Sequence, residues 1–181
     1  MATAGSFTIV ASVAETLDAP ENRFGTITDY LNLNYRWVDG TGVGQNDLVW
    51  SDRFTIAGGD TAIIDLAPLA LDLGGGAGSI AQTDTFGNAI TFVEVTAICI
   101  SNRETVAGSR TVSFGPGAGN PFLWLFLNAS DLISIVPAGG YTQWSDQAQT
   151  VGAGASDTLR FINTDGANAV SLDLILVGRT A

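Results

Sequence analysis

The side chains able to do chemistry in this chain are few, and what is missing removes most of what they could do. The 181 residues include no histidine and no lysine, and Cys99 is the one cysteine. Without imidazole there is no Ser-His-Asp or Cys-His relay and no HExxH zinc helix. Without lysine there is no Walker A phosphate loop and no Schiff-base chemistry. One cysteine supports neither an internal disulfide framework nor a cysteine-based zinc site. Two glycine clusters come near the dinucleotide-binding pattern and miss it. Gly40-x-Gly42 is followed by Gln45, and Gly74-x-Gly76 by Ser79, where a third glycine is required. They read as turn glycines.

Carboxylates remain. Asp39, Asp47, Asp52, Asp60 and Asp65 crowd one third of the chain and in number could supply a glycosidase pair or calcium ligands. The loop DGTGVGQND, however, lacks the alternating oxygen ligands and terminal glutamate of an EF-hand. These residues are expected to be turn-forming and solvated aspartates. Glu94 differs, standing in the middle of an apolar run, where pairing with an arginine or facing an interface is expected. Asn128-Ala129-Ser130 spells a glycosylation acceptor, which in a chain whose first positive charge is Arg23 is expected to be coincidental, since no signal-peptide n-region is present. No catalytic residue, cofactor or metal site is expected, and the chain reads as a non-enzyme.

Composition points the same way. The net charge is −11, the charged fraction 14% and the hydrophobic fraction 46%. All seven cations are arginine and lie scattered along the chain. An acidic surface without a basic patch argues against nucleic acid and anionic membranes as partners. The apolar runs, such as FLWLFL over 122–127, are too short to span a bilayer. So low a charge predicts a surface rich in Thr, Ser, Asn and Gln, a large protein interface, or both. Cys99 is expected to be a buried, inert hydrophobe in a protein made in the cytoplasm.

The element around which these residues must be arranged is ITFVEVTAICISN, residues 90–102. β-Branched side chains dominate it and both faces are apolar, as in a central strand covered on both sides. Its expected mate is AVSLDLILV, residues 169–177. Further strands are expected over 47–56, 61–67, 110–114, 132–136, 140–144 and 159–163, with hairpin turns at Gly58-Gly59-Asp60 and Asp165-Gly166. Residues 67–73 have helical spacing but support one turn at most. About ten short strands with regular turn signals predict an all-β fold, a two-sheet β-sandwich of jelly-roll type.

At the N-terminus Phe7, Ile9, Ala11 and Val13 alternate with Thr8, Val10 and Ser12, and Ile27, Leu31, Leu33, Tyr35 and Trp37 mark one side of 26–38. The polar, Pro20-containing stretch between them predicts an N-terminal arm, residues 1–25, that pairs with a neighbouring subunit, and a single sandwich domain over 26–181. Phe7 and Ile9 are the expected anchors of that arm. Phe122, Trp124 and Phe126 read either as core of a doubly buried strand or as an anchor for another subunit, since aromatics concentrate at interface hot spots.

Four blocks, taken in order, resemble a family of small virion proteins of tailed bacteriophages. They are DGTGVGQNDLVWSDRFTIAGG (39–59), FGNAITFVEVTAICISN (86–102), PAGGY (137–141) and DTLRFINTDGANAVSLDLILVG (157–178). The resemblance runs from about Val38 to Val177 and leaves out residues 1–37. It implies a β-sandwich virion component, a decoration or cement protein on the capsid exterior that binds the major capsid protein, and it brings no catalytic residues. A homo-oligomer, a trimer in particular, is the expected state. The alternative is a tail-tip or fibre module that binds a host glycan, an analogy at the level of fold alone. A carboxylate-dependent glycan hydrolase is the third reading.

Overall fold

The computed structural model describes residues 5–17, 25–76, 78–83, 87–105, 110–124 and 126–181, with backbone alone for 5–17, 25–37 and position 146. Among these residues all regular structure is β and no helix occurs. Twelve strands follow in order: β1 (Gly5–Leu17), β2 (Gly25–Trp37), β3 (Leu48–Ile56), β4 (Thr61–Leu66), β5 (Leu69–Asp72), β6 (Ile80–Ala81), β7 (Glu94–Asn102), β8 (Val112–Pro116), β9 (Ile133–Ile135), β10 (Gly140–Thr150), β11 (Thr158–Asn163) and β12 (Val170–Arg179). They form a four-stranded sheet ordered β10-β7-β12-β3, a six-stranded sheet ordered β6-β5-β4-β11-β8-β9, and a separate pair β1-β2. The two larger sheets are antiparallel throughout and pack face to face as a β-sandwich.

The expected spine is present. β7 pairs with β12, Leu174 opposite Ile100 and Leu176 opposite Ile98, and the two occupy the middle of their sheet. Alternation then sends Leu172, Leu174 and Leu176 inward, where they are fully buried. Phe54 and Trp50 on β3 join them. Ile64, Leu66, Leu159, Phe161 and Phe114 face them from the other sheet. Phe114 is the hub of this layer, stacked on Phe161 at 5.0 Å between ring centroids and edge-on to Phe126 at 5.4 Å. Ring pairs at these separations add attraction beyond the area they hide.

One detail of the spine departs from simple alternation. Along β12, Val177 faces Ala97 and the next residue, Gly178, faces Val95, so Thr96 is an extra residue in β7. The bulge reverses the phase of the strand. Val95 therefore joins Ile98 and Ile100 in the core, while Cys99 lies on the outer face, although the sequence pattern puts Val95, Ala97 and Cys99 on one side. The hydroxyl of Thr96 sits 2.6 Å from Asn46 Oδ1 and 3.2 Å from the Val177 carbonyl, so the buried kink carries no orphaned oxygen.

Both turns expected to close hairpins do something else. β3 and β4 lie in different sheets, as do β11 and β12, so Gly58-Gly59-Asp60 and Asp165-Gly166 are corners between layers. The two corners stack: Gly59 N–H donates to the Asp165 carbonyl at 2.8 Å, and a Cβ on Gly58 would lie 2.8 Å from the Ala167 carbonyl carbon. The Asn163 side-chain amide ties them by donating to the carbonyls of Ile56, Ala57 and Asn168. Residues 69–72, given at most a helical turn by sequence, form β5 against β4, because the chain reverses at Ala67-Pro68 and aligns Leu69 with Leu66.

The N-terminal strand also has a partner in its own chain. β1 and β2 pair antiparallel in unbroken register, from Gly5 opposite Trp37 to Leu17 opposite Gly25. Residues 25–37 supply the second strand of this hairpin, and neither strand joins a larger sheet.

Candidate functional site

The aspartates are structural. Asp65 Oδ1 accepts from Ala67 N–H at 2.9 Å and Asp72 Oδ1 from Gly74 N–H at 2.9 Å. Asp165 Oδ1 accepts from Ala167 and Asn168, and Asp131 Oδ2 from Leu127 and Asn128. This is the Asx chemistry that lets a short carboxylate stand in for a backbone carbonyl in a turn. Asp52 Oδ1 accepts from Arg53 N–H, and Asp47 holds the backbone and hydroxyl of Thr180. Asp60 works through its backbone: its N–H donates to Ala57 and its carbonyl accepts from Asn163. Asp39 is exposed beside the first turn. Among the described residues no three histidines, cysteines or carboxylates gather to hold a metal ion.

Burial holds the Asp65 carboxyl above the ordinary aspartate range, opposed by the Ala67 N–H and reinforced by Asp157 nearby. Asp157 is itself buried; Gly154 N–H bonds its Oδ2, while its Oδ1 has no partner.

Glu94 has an arginine partner, one of the two readings that its place in an apolar strand left open. Arg179, only 4% exposed, donates from Nη1 to Glu94 Oε2 at 2.7 Å and from Nε to the Gln45 carbonyl at 2.9 Å. The pair closes one end of the four-stranded sheet's outer face, next to the Thr96 bulge and Asn46. A guanidinium so enclosed has exchanged water for a carboxylate and a carbonyl, the arrangement burial of a charge demands.

Further along that face, Asp173 lies between two arginines. Arg53 reaches it with Nε at 2.5 Å and Nη2 at 3.1 Å, and Arg103 with Nε at 3.3 Å. The bidentate contact with Arg53 is the main reason the Asp173 carboxyl lies below the usual range. A shallow recess beside it exposes Cys99, Thr142 and Ile175. Cys99 is thus half-buried on an open sheet face and not in the core, which corrects the expectation from sequence. Burial raises its thiol pKa, against a smaller lowering by the Thr142 contact. Raised in this way, the thiol has little nucleophilic character.

The expected interface residues are distributed unevenly. Phe122 (2% exposed) and Phe126 (8%) lie in the core of their own chain, and Trp124 packs partly against it. Phe122 N–H is anchored on the Thr158 carbonyl at 3.0 Å, and among the described residues of the segment no strand forms, although a doubly buried strand was one of the two readings open for it. What it offers outward is Leu123 and Leu127, the latter 96% exposed. Leu132 and Val136, flanking β9 at the edge of the six-stranded sheet, are also exposed. Of the two readings open for these aromatics, Phe122 and Phe126 follow the core one; sequence reasoning did not single out Leu123, Leu127, Leu132 or Val136, and the alternation of FLWLFL was the available signal for the first two alone. The side chains of Phe7 and Ile9 lie outside the described residues, and their backbones pair with Tyr35 and Leu33.

No protein-family model, no curated protein and no solved structure matches the chain.

Proposed function

We propose that this chain is a structural virion protein of a tailed bacteriophage, a decoration or cement protein that sits on the capsid exterior and clamps neighbouring capsid subunits. The observation that carries this reading is the β1-β2 hairpin, a long pair of strands that belongs to neither sheet of the sandwich and so leaves an element free for a neighbour. The residue inventory supports it: no histidine, no lysine, and aspartates committed to turns. So do the four ordered blocks between Asp39 and Gly178 that resemble such virion proteins. In this role the chain is no enzyme and takes no cofactor. Its partners are the major capsid protein and copies of itself, a trimer in the first instance, and neither nucleic acid nor membrane. It is made in the host cytoplasm and ends on the particle.

The test is its abundance in purified virions by quantitative mass spectrometry, together with binding of the purified protein to bare capsids. A copy number comparable to that of the capsid subunit, with saturable binding to bare shells, is expected. A handful of copies per particle overturns the reading in favour of the tail-tip or fibre module.

A further inference from the structure

We infer that the Asn120–Pro121 peptide bond is a self-cleavage site, at which the folded chain cuts itself by attack of the Asn120 side-chain amide on its own main-chain carbonyl. The inference stands apart from the virion reading. The cut is a single intramolecular event and needs no external substrate.

The carbonyl is the first observation. The Asn120 oxygen accepts three hydrogen bonds: from Thr158 N–H at 2.8 Å, from Asp157 N–H at 3.1 Å and from the Thr158 hydroxyl at 2.6 Å. A peptide oxygen has two lone pairs, so three donors crowd it in the ground state. An oxyanion has room for all three, and donors fixed in advance around it stabilise the negative charge that develops when the carbon is attacked. Two of the three come from Thr158 at the start of β11, a strand paired on both sides. The hydroxyl fits because residue 117 is glycine, where a Cβ would lie 2.1 Å from Thr158 Oγ1.

The nucleophile is the second. Among the described residues the Asn120 side-chain amide has no hydrogen-bond partner, so its nitrogen is uncommitted. A residue before proline is held extended, and in that conformation its Cβ stands nearly perpendicular to the plane of its own carbonyl. Nδ2 then meets a face of the carbonyl carbon and closes a five-membered ring. Proline also removes the competing reaction. Ring closure at asparagine ordinarily uses the nitrogen of the next backbone N–H, and Pro121 has none.

The step balances within the chain. Nδ2 bonds to the Asn120 carbonyl carbon, and the bond from that carbon to Pro121 N breaks. Its electron pair stays on Pro121 N, which takes the proton that Nδ2 gives up. Asp157 is placed to carry that proton: its N–H is one of the three donors, and its buried Oδ1 has no partner. The products are residues 1–120 ending in a cyclic imide and residues 121–181 beginning with the secondary amine of Pro121. No water or co-reactant enters. The cut ends stay in place, because Gly117 N–H and Phe122 N–H, on either side of the bond, both donate to the Thr158 carbonyl at 2.8 and 3.0 Å, and Phe122 is buried in the core.

The experiment keeps the full chain. The purified protein is incubated at mildly alkaline pH, folded and in denaturant side by side, and intact masses are read by mass spectrometry. Asn120→Ala, Asp157→Asn, Thr158→Val and Thr158→Ser are treated alike, with circular dichroism and the melting temperature reporting that each is folded. The folded natural protein is expected to yield 1–120 and 121–181, with masses that sum to the 18.7 kDa of the intact chain because ring closure adds no water. In denaturant the cut should be much slower. Asn120→Ala should stay whole, and Thr158→Val should cut roughly 10²-fold more slowly through loss of one donor. Thr158→Ser, which restores the hydroxyl, should recover the rate, and Asp157→Asn should lose most of it. A natural protein that stays whole, equal rates folded and denatured, or a cut that persists in Asn120→Ala overturns the inference. So does a folded Thr158→Val as fast as the parent; where that variant does not fold, the comparison of folded with denatured natural protein decides.

Discussion

Leu174 and Ile175 are neighbours in β12 and face opposite ways, so replacing each by alanine tests the register of the sandwich directly. Leu174 is fully buried between Ile100 on β7 and Asp52 on β3, whereas Ile175 is 41% exposed beside Cys99 and Ser51. Leu174→Ala removes three buried carbons, about 2.4 kcal/mol at roughly 0.8 kcal/mol each. The cavity left under the packed Phe layer raises this to about 3–4 kcal/mol, within the range of such changes. Ile175→Ala removes as many carbons from a site that is more than half covered, about 1.4 kcal/mol at most, and opens no closed cavity. At about 2–4 °C per kcal/mol for a chain of this size, the melting temperature should fall by about 10 °C in the first variant and by at most about 3–6 °C in the second. Thermal and urea unfolding read both values. Equal losses, or a larger loss at Ile175, would refute the reasoning, because a slip of one residue would move every side chain of β12 to the other face.

Gly178 stands beside the Thr96 bulge, where a Cβ would lie 2.1 Å from the Glu94 carbonyl oxygen and 2.7 Å from Phe92 Cδ1. Gly178→Ala is expected to cost about 1–3 kcal/mol through overpacking, while Gly119→Ala, with open space around it, should change stability by less than about 0.5 kcal/mol in denaturant titrations. The acid limb of stability should be set by Asp173 and Glu104, whose carboxyls are held low, chiefly by hydrogen bonds from Arg53 and Arg110. Their contribution is complete above the ordinary carboxylate range and disappears as pH falls through their lowered values; Asp173→Asn should flatten that limb, and an unchanged profile would contradict the assignment. Asp65 has the opposite sign, its raised carboxyl favouring the fold at acid pH and losing that advantage as pH rises through it, so Asp65→Asn should lift stability at neutral pH relative to acid. Thiol labelling of Cys99 should be slower in the native protein than in denaturant and should accelerate with pH; native labelling at the denatured rate would show that the recess does not shield it.

Much of the sandwich was legible because its signals are local. Residues 94–102 and 170–177 carry enough β-branched and aliphatic side chains on both faces to declare themselves central strands, and they are each other's partners. Glu94 announced an arginine or an interface by standing in an apolar run, since a buried carboxylate requires a counter-charge. The aspartates announced turns. None of these signals named the partner: Arg179 lies 85 positions from Glu94, and seven arginines were available.

What the chain by itself determined was therefore the period of each strand and the place of each turn, properties of a few consecutive residues. Tertiary structure decided which strands meet. Gly58-Gly59-Asp60 and Asp165-Gly166 have the turn chemistry of hairpins, yet they carry the chain from one sheet to the other, because the same φ/ψ freedom serves both and only the opposing layer chooses. Thr96 looks like any other strand residue until Val177 and Gly178 face Ala97 and Val95 and leave it over, which puts Val95 in the core and Cys99 outside. The aromatics of FLWLFL turned inward because Phe114 and the Thr158 carbonyl were there to receive them. Residues 5–17 and 25–37 each showed a strand period, but their union in one hairpin is a choice among long-range pairings that local sequence weighs almost equally. Burial of the same side chains can be achieved by several partners, and the difference in free energy between them is spread over the whole fold.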